Sequence, residues 1–369
     1  MKFDDLVAPY IENLAPYEPG KPVEQLEREL GVRGAIKMAS NENPFGPSPK
    51  GMAAAREALS GVNRYPDGGG FKLRQALAAR HGVSMDEIVL GAGSNELIDL
   101  LVRTFCRTGE DEVLTHKYAF MMYRVSCQAH GVGLREVEVS RDLSCDVDAL
   151  LAGVTPRTRL VFLPNPNNPT GSYLPRPELE RLLAGLSPRL LLVVDEAYYE
   201  YARGRADYAV AESYRSPDRP LIVSLRTFSK AYGLAALRVG YAVGDARVIG
   251  YLNRVRMPFN VGTAAQEAAR AALDDEEHVS RSIELNAAGM KQLEEGLARL
   301  PVTVYDSAAN FLLIDLGRDV GPVYQELLVR GVIVRPLRAL GLGRHVRVTV
   351  GSREENERFL SALTAVLSA

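Results

Sequence analysis

Leu190-Leu191-Leu192-Val193-Val194-Asp195-Glu196-Ala197-Tyr198 is the stretch that decides how this chain folds. Five consecutive apolar residues with no polar alternation fit a strand covered on both faces, the habit of a parallel sheet. The run then stops at a carboxylate. In an open α/β sheet the carboxyl ends of the strands border the ligand crevice. An Asp leaving a dry strand is costly to bury unpaired, so it needs a cationic partner. An Asp so placed also suits the N-cap of a following helix, so the stretch alone leaves both roles open.

Outward from this stretch, short apolar runs recur at residues 87–90, 160–163, 221–225 and 239–243. Amphipathic segments separate them: over 95–106, Leu97, Ile98, Leu101, Val102 and Phe105 share one helical face. The alternation predicts a wound, mostly parallel α/β sheet. The first 70 residues, rich in Pro and Gly, read as an extended arm with one helix near 49–59. Beyond about residue 258 the pattern changes. Two long helical patterns (264–274 and 278–299) precede β-rich segments at 311–315, 332–335 and 346–350, and a helix over 354–367 closes the chain. The expected division is an N-terminal arm over 1–40, a large domain over 41–262 and a small α+β domain over 263–369.

Composition narrows the function. A chain of 369 residues suits two domains. Its 46% apolar and 24% charged residues exclude a disordered or collagenous chain. Lys and Arg number 44 against 46 Asp and Glu, a net −2, so no global field recruits nucleic acid or an anionic membrane. Cys106, Cys127 and Cys145 form no CxxC pair, which predicts a reduced, cytoplasmic chain. Met1-Lys2-Phe3-Asp4-Asp5 is acidic where a secretory signal is basic, and no run reaches the roughly 18–20 apolar residues of a membrane span. The histidines show no paired metal spacing, so no metal site is expected.

Three further motifs carry chemistry. Gly91-Ala92-Gly93-Ser94-Asn95 follows a strand and opens a helix. It fails GxGxxG, because Glu96 stands where the third glycine belongs, but bare amides at a helix N-terminus suit a phosphate. Taken alone it reads as a plain strand-to-helix turn. Asn165-Pro166-Asn167-Asn168-Pro169-Thr170-Gly171 forms a rigid loop beyond the strand at 160–163, where an Asn can aim its amide at a ligand oxygen. Ser224-Leu225-Arg226-Thr227-Phe228-Ser229-Lys230-Ala231-Tyr232-Gly233-Leu234, then Leu237-Arg238, places a lysine in a crowded, partly dry turn. There an amine loses its proton more readily and becomes nucleophilic. A lone lysine is ordinarily a surface residue, so the set is what counts. Asp195 offers an anion for a pyridine nitrogen, and Asn168 with Tyr198 donors for a phenolic oxygen. Ser94, Asn95, Ser229 and Arg238 offer a phosphate cup, and Lys230 an imine. That combination is the mark of pyridoxal 5'-phosphate (PLP) chemistry.

On these motifs the chain resembles the fold-type I PLP-dependent aminotransferases, and most closely the histidinol-phosphate aminotransferase family. The likeness extends to Ala39-Ser40-Asn41-Glu42-Asn43-Pro44-Phe45-Gly46, Arg64-Tyr65-Pro66-Asp67-Gly68, Gly331-Val332-Ile333-Val334-Arg335 and Val346-Arg347-Val348-Thr349-Val350-Gly351. The resemblance implies Lys230 as the imine lysine and proton shuttle, Asp195 as partner of the pyridine nitrogen, and Asn168 and Tyr198 as phenolate donors. It implies Ser94, Asn95, Ser229 and Arg238 as the phosphate cup and Phe120, ahead of Tyr118, as the stacking ring. Tyr65 would reach the cofactor phosphate of a neighbouring subunit in an obligate homodimer with shared sites. Arg335, Arg347 and Asn43 would hold substrate.

The implied reaction is a ping-pong exchange between small-molecule amino donors and keto acids, with histidinol phosphate, 2-oxoglutarate and glutamate as family substrates of histidine biosynthesis. Ala92 and Ala236 depart from residues common in the family, and this bears on substrate fit more than on cofactor binding. Three readings compete: an aromatic or broad-specificity aminotransferase, a PLP-dependent phospho-amino-acid decarboxylase, and a PLP-binding regulator without turnover. The last has no DNA-binding appendage or basic patch to support it.

Overall fold

Why the strands at the centre read as unbroken apolar runs is visible in their packing. The structure, a computed structural model, describes residues 6–16, 19–216 and 219–368; the acidic stretch 1–5 lies outside them. In chain order the described strands are β1 (Ile36–Lys37), β2 (Ile88–Gly91), β3 (Glu112–His116), β4 (Gly133–Val137), β5 (Thr158–Pro164), β6 (Leu191–Asp195), β7 (Leu221–Thr227), β8 (Gly240–Gly244), β9 (Thr303–Val304), β10 (Phe311–Asp315), β11 (Val332–Ile333), β12 (Arg335–Leu337) and β13 (Leu342–Thr349). Seven of them form one sheet in the order β2-β8-β7-β6-β5-β3-β4. Along β6, Val193 packs with Leu97, Leu101, Phe162 and Leu225 on one face. Leu192 and Val194 pack with Val161, Leu182 and Leu183 on the other. Each such side chain contributes about 1.5–3 kcal/mol relative to exposure.

Two features differ from the sequence reading. The run expected at 239–243 is present as β8, but it lies antiparallel to both β7 and β2. A parallel return needs a crossover of a dozen or more residues, usually a helix. Here the link between β7 and β8 holds only a short 3-10 turn, Ala235–Leu237, so the chain reverses. The second difference is β3 and β4, which the sequence reading omits. β3 carries Glu112, Thr115 and His116, and β4 is a half-buried strand at the sheet edge, so neither presents a long apolar run.

A second sheet, β12-β13-β10-β9, is antiparallel throughout. Leu312, Ile314, Val346 and Val348 pack there with Leu293 and Phe359 from the flanking helices. The arm is more structured than its composition suggests. Its helix Val23–Leu30 buries Leu26 against Ala39, Leu328 and Ile333, and β1 pairs in parallel with β11. The helix Thr263–Leu273 packs in one cluster with Leu73, Leu77 and Phe228, on the large sheet's side. The helix Glu276–Leu297 then joins both cores, placing Val279 in the first cluster and Met290, Leu293 and Leu297 in the second. Among the described residues no helix is long and apolar enough to cross a membrane.

Candidate active site

The carboxyl ends of β5, β6 and β7 open on one cavity of about 500 Å³. Asp195, the last residue of β6, borders it and is buried. Its Oδ2 accepts a hydrogen bond from the Tyr123 hydroxyl at 3.0 Å, and its Oδ1 accepts the Ala197 N–H at 3.2 Å. Burial pushes the carboxyl up to about 6, against the opposing pull of these two donors. It does not cap the next helix, Tyr199–Ala202, whose N-cap is Tyr198.

Lys230 lies across the same cavity. Its Nζ donates to the Ser40 carbonyl at 3.3 Å and sits 5.6 Å from the centre of the Tyr198 ring. Burial, reinforced by the charge of Arg347, lowers its amine to about 8. This half-buried amine is therefore far closer to its neutral, nucleophilic form at neutral pH than a surface lysine.

The asparagine loop divides its labour. Asn165 Oδ1 accepts the Leu174 N–H at 2.7 Å. Asn167 Nδ2 donates to the Tyr118 carbonyl at 3.0 Å and to Thr170 Oγ1 at 2.8 Å. These two hold the loop, and Asn168 borders the cavity. Asn168 Oδ1 accepts from Arg347 Nη1, which leaves the NH₂ end of its amide for a ligand acceptor. Beside it the buried Tyr198 hydroxyl accepts from Asn41 Nδ2 at 2.8 Å.

The Gly-Ala-Gly turn proves to be more than a turn. Gly93 is the N-cap of the helix Ser94–Phe105, at φ 79 and ψ 172, a conformation that belongs almost solely to glycine. A Cβ on Gly93 would lie 2.4 Å from Arg238 Nη2, and one on Gly240 would lie 2.9 Å from Ser94 N. Both positions must stay bare for the helix N-terminus and the guanidinium to converge. Arg238 Nη1 also donates to Ser229 Oγ at 3.4 Å. Glu96, the residue that spoils the dinucleotide pattern, accepts the Ala92 N–H at 2.6 Å and so fixes the turn. A helix N-terminus, two hydroxyls and a guanidinium form a cradle fit for a phosphate.

Phe120 borders the cavity, its ring edge-on to Tyr123 at 5.9 Å. Tyr118 is not in the lining and serves the loop through its carbonyl. Arg335 and Arg347 stand directly opposite each other on β12 and β13, both bordering the cavity. The alternation along β13, continued by Val350 just beyond it, sends Val346, Val348 and Val350 into the core and leaves Arg347 on the cavity side.

One expected site residue is not brought in, and another was expected only from a neighbouring subunit. Asn43 is absent from the lining. Its Nδ2 donates to the Ala231 carbonyl and to Ser282 Oγ, each at 3.0 Å, so it supports the lysine loop from behind. Asn41, two residues earlier and at φ 54, turns into the cavity instead. Tyr65 is 83% exposed, stacks on Phe259 at 4.8 Å and lies apart from the cavity of its own chain. The sequence reading also omits Tyr123 and Asn41, whose partners are 72 and 157 residues away along the chain.

A wound sheet with a lysine, a buried aspartate and an anion cradle at its carboxyl edge fits the aminotransferase class. The chain belongs to that family: the family described as "Aminotransferase class I and II" matches residues 33–363. Within it the chain is a member of the histidinol-phosphate aminotransferases. It is 47% identical over 365 residues to histidinol-phosphate aminotransferase 2 of Pseudomonas aeruginosa, covering 98% of each chain. It is 49% identical over 366 residues to histidinol-phosphate aminotransferase 1 of Thiobacillus denitrificans, covering 98% of this chain and 93% of that one. Among solved structures it is similar to the histidinol-phosphate aminotransferase of Sinorhizobium meliloti in complex with pyridoxal-5'-phosphate (TM-score 0.89, 30% identity, 98% of each chain). It is also similar to a Thermus thermophilus aspartate aminotransferase mutant (TM-score 0.86, 25% identity, 98% of this chain and 99% of that one).

Proposed function

We propose that this chain is a PLP-dependent aminotransferase acting between histidinol phosphate and 2-oxoglutarate, with imidazole-acetol phosphate and glutamate as products, in the biosynthesis of histidine. The observation that carries the reading is the arrangement of Lys230, Asp195 and the Ser94–Ser229–Arg238 cradle around one cavity. The donor set fits the cofactor. The glycine-lined cradle would admit its phosphate, the buried carboxylate would partner its ring nitrogen, and Asn168 and Tyr198 would serve its phenolic oxygen. Asn95 completes the cradle at the helix N-terminus, and Phe120 offers a ring to stack on. Bound there, PLP supplies a carbonyl that binds an amine and a ring that accepts electrons.

The chain's residues do the rest. Lys230 would hold the cofactor until the incoming amine displaces it; its freed amine, lowered to about 8 in the cofactor-free chain, is the base that takes a proton from the substrate carbon and the acid that delivers that proton to the carbon on the cofactor side. Asp195, raised only to about 6, is largely ionised at neutral pH and would keep a proton on the ring nitrogen of the bound cofactor. Arg335 and Arg347 grip the anionic groups of either substrate, a phosphate or carboxylates, in fork geometry.

Leu59, Val62, Tyr65, Phe71, Met257 and Phe259 are exposed, and an apolar surface of this kind suits burial against a second copy. We assign the working enzyme as a homodimer in which Tyr65 reaches the neighbouring cradle. The large sheet forms a cofactor-holding domain and the small sheet a substrate-gripping one, and the unpaired cysteines suit the cytoplasm. Incubation with histidinol phosphate and 2-oxoglutarate should yield glutamate. Faster turnover of phenylalanine would replace the substrate with an aromatic one. Release of carbon dioxide without any keto acid would replace the reaction with a decarboxylation.

A further inference from the structure

Tyr123 lies outside the cavity lining, yet it touches the group on which the chemistry depends. It is fully buried on the helix Met122–Ala129, its ring stacked on Phe162 at 4.4 Å and 9°. Its hydroxyl donates to Asp195 Oδ2 at 3.0 Å. Its ring meets the edge of Phe120, the aromatic that borders the cavity, at 5.9 Å. A buried hydroxyl in a stacked pair of rings has one place to go, and here it goes to the carboxylate.

From this geometry we infer that Tyr123 is a positioning residue for the amino-transfer reaction: its hydroxyl holds Asp195 ionised and fixed in orientation, and its ring sets Phe120 against the same site. The inference rests on the PLP reading above, since Asp195 matters most as partner of the cofactor's ring nitrogen. The physical reason is direct. A hydroxyl that donates to a carboxylate stabilises the ionised form. Without it, burial would shift Asp195 further toward its protonated form and leave less of the anion the ring nitrogen needs. The other groups acting on Asp195 are the Ala197 N–H and Lys230, which favour ionisation, and Glu196, which opposes it. Of these Lys230 is committed elsewhere once it holds the cofactor, which leaves Tyr123 as the side-chain donor.

The test uses the full-length chain in two forms. In the cofactor-free protein, with aspartate carboxyls labelled with carbon-13, the Asp195 signal is identified by its loss in Asp195→Asn and followed with pH. Tyr123→Phe removes one oxygen atom and keeps the stacked ring, and it should raise the Asp195 midpoint by roughly one unit. Replacing Tyr123 by a tyrosine fluorinated beside the hydroxyl makes a stronger donor and should lower that midpoint. In the loaded enzyme, Tyr123→Phe should lower kcat by roughly 10- to 100-fold with KM for both substrates little changed. A purely structural tyrosine would leave the midpoint where it was, with stability alone affected. An unmoved midpoint in the Phe variant, or in the fluorinated one should the Phe variant not fold, overturns the inference. Wild-type transamination in the same preparation keeps the PLP reading intact in that event.

Discussion

Lys230 shows how much a single residue owes to its setting. In the cofactor-free enzyme its amine is lowered to about 8 by burial and by Arg347. Below that pH the free amine falls about tenfold per unit, and above it the fraction levels off. The rate of covalent PLP capture should therefore rise with pH, bend near 8 and flatten, measured by stopped-flow absorbance. Arg347→Ala removes a neighbouring cation and should move the bend upward. A rate that climbs steadily to pH 10 in the wild type would mean an ordinary, solvated lysine. Asp195 stood out in the sequence as a carboxylate that ends an apolar run, and Lys230 as a lysine in a crowded turn beyond another strand. Tyr123 and Asn41 did not, because nothing near them in the chain announces that they hold Asp195 and Tyr198.

At the scale of elements, the cradle depends on how closely a helix end approaches a strand. Gly93 occupies a backbone conformation that costs a side-chain-bearing residue about 1–3 kcal/mol. A methyl group there would also displace Arg238. Gly93→Ala should therefore fold but melt at a lower temperature by that cost, and with Arg238 displaced it should bind PLP roughly 10- to 100-fold more weakly, the loss of about one charge-assisted hydrogen bond. Titration of the cofactor-free chain by fluorescence quenching reads the affinity, and unchanged affinity would detach the cradle from the phosphate. The central strands were legible because burial on both faces removes polar residues from them. The antiparallel β8 was not, because its direction is set by what the β7–β8 link lacks, a crossover helix. β3 and the edge strand β4 escaped notice for the opposite reason: their polar residues mask the period.

At the scale of the molecule, the arm that reads in the sequence as extended is tied down by Leu26 and by β1, neither of which carries a strong local signal. Tyr65 and Phe259 stack on the surface, away from their own cavity. If Tyr65 serves the neighbouring subunit, mixing inactive Tyr65→Ala and Lys230→Ala chains should restore part of the activity, since some heterodimer sites regain both residues. No recovery after proven subunit exchange would confine each site to one chain. The central claim, that Lys230 in this cavity bonds the cofactor, has a direct measurement. The PLP-loaded protein is reduced with borohydride, digested, and its peptides are weighed. The account predicts one cofactor-sized mass increment per chain, on the peptide containing Lys230 and lost in Lys230→Ala. An increment on any other lysine, or none at all from an active preparation, would contradict it.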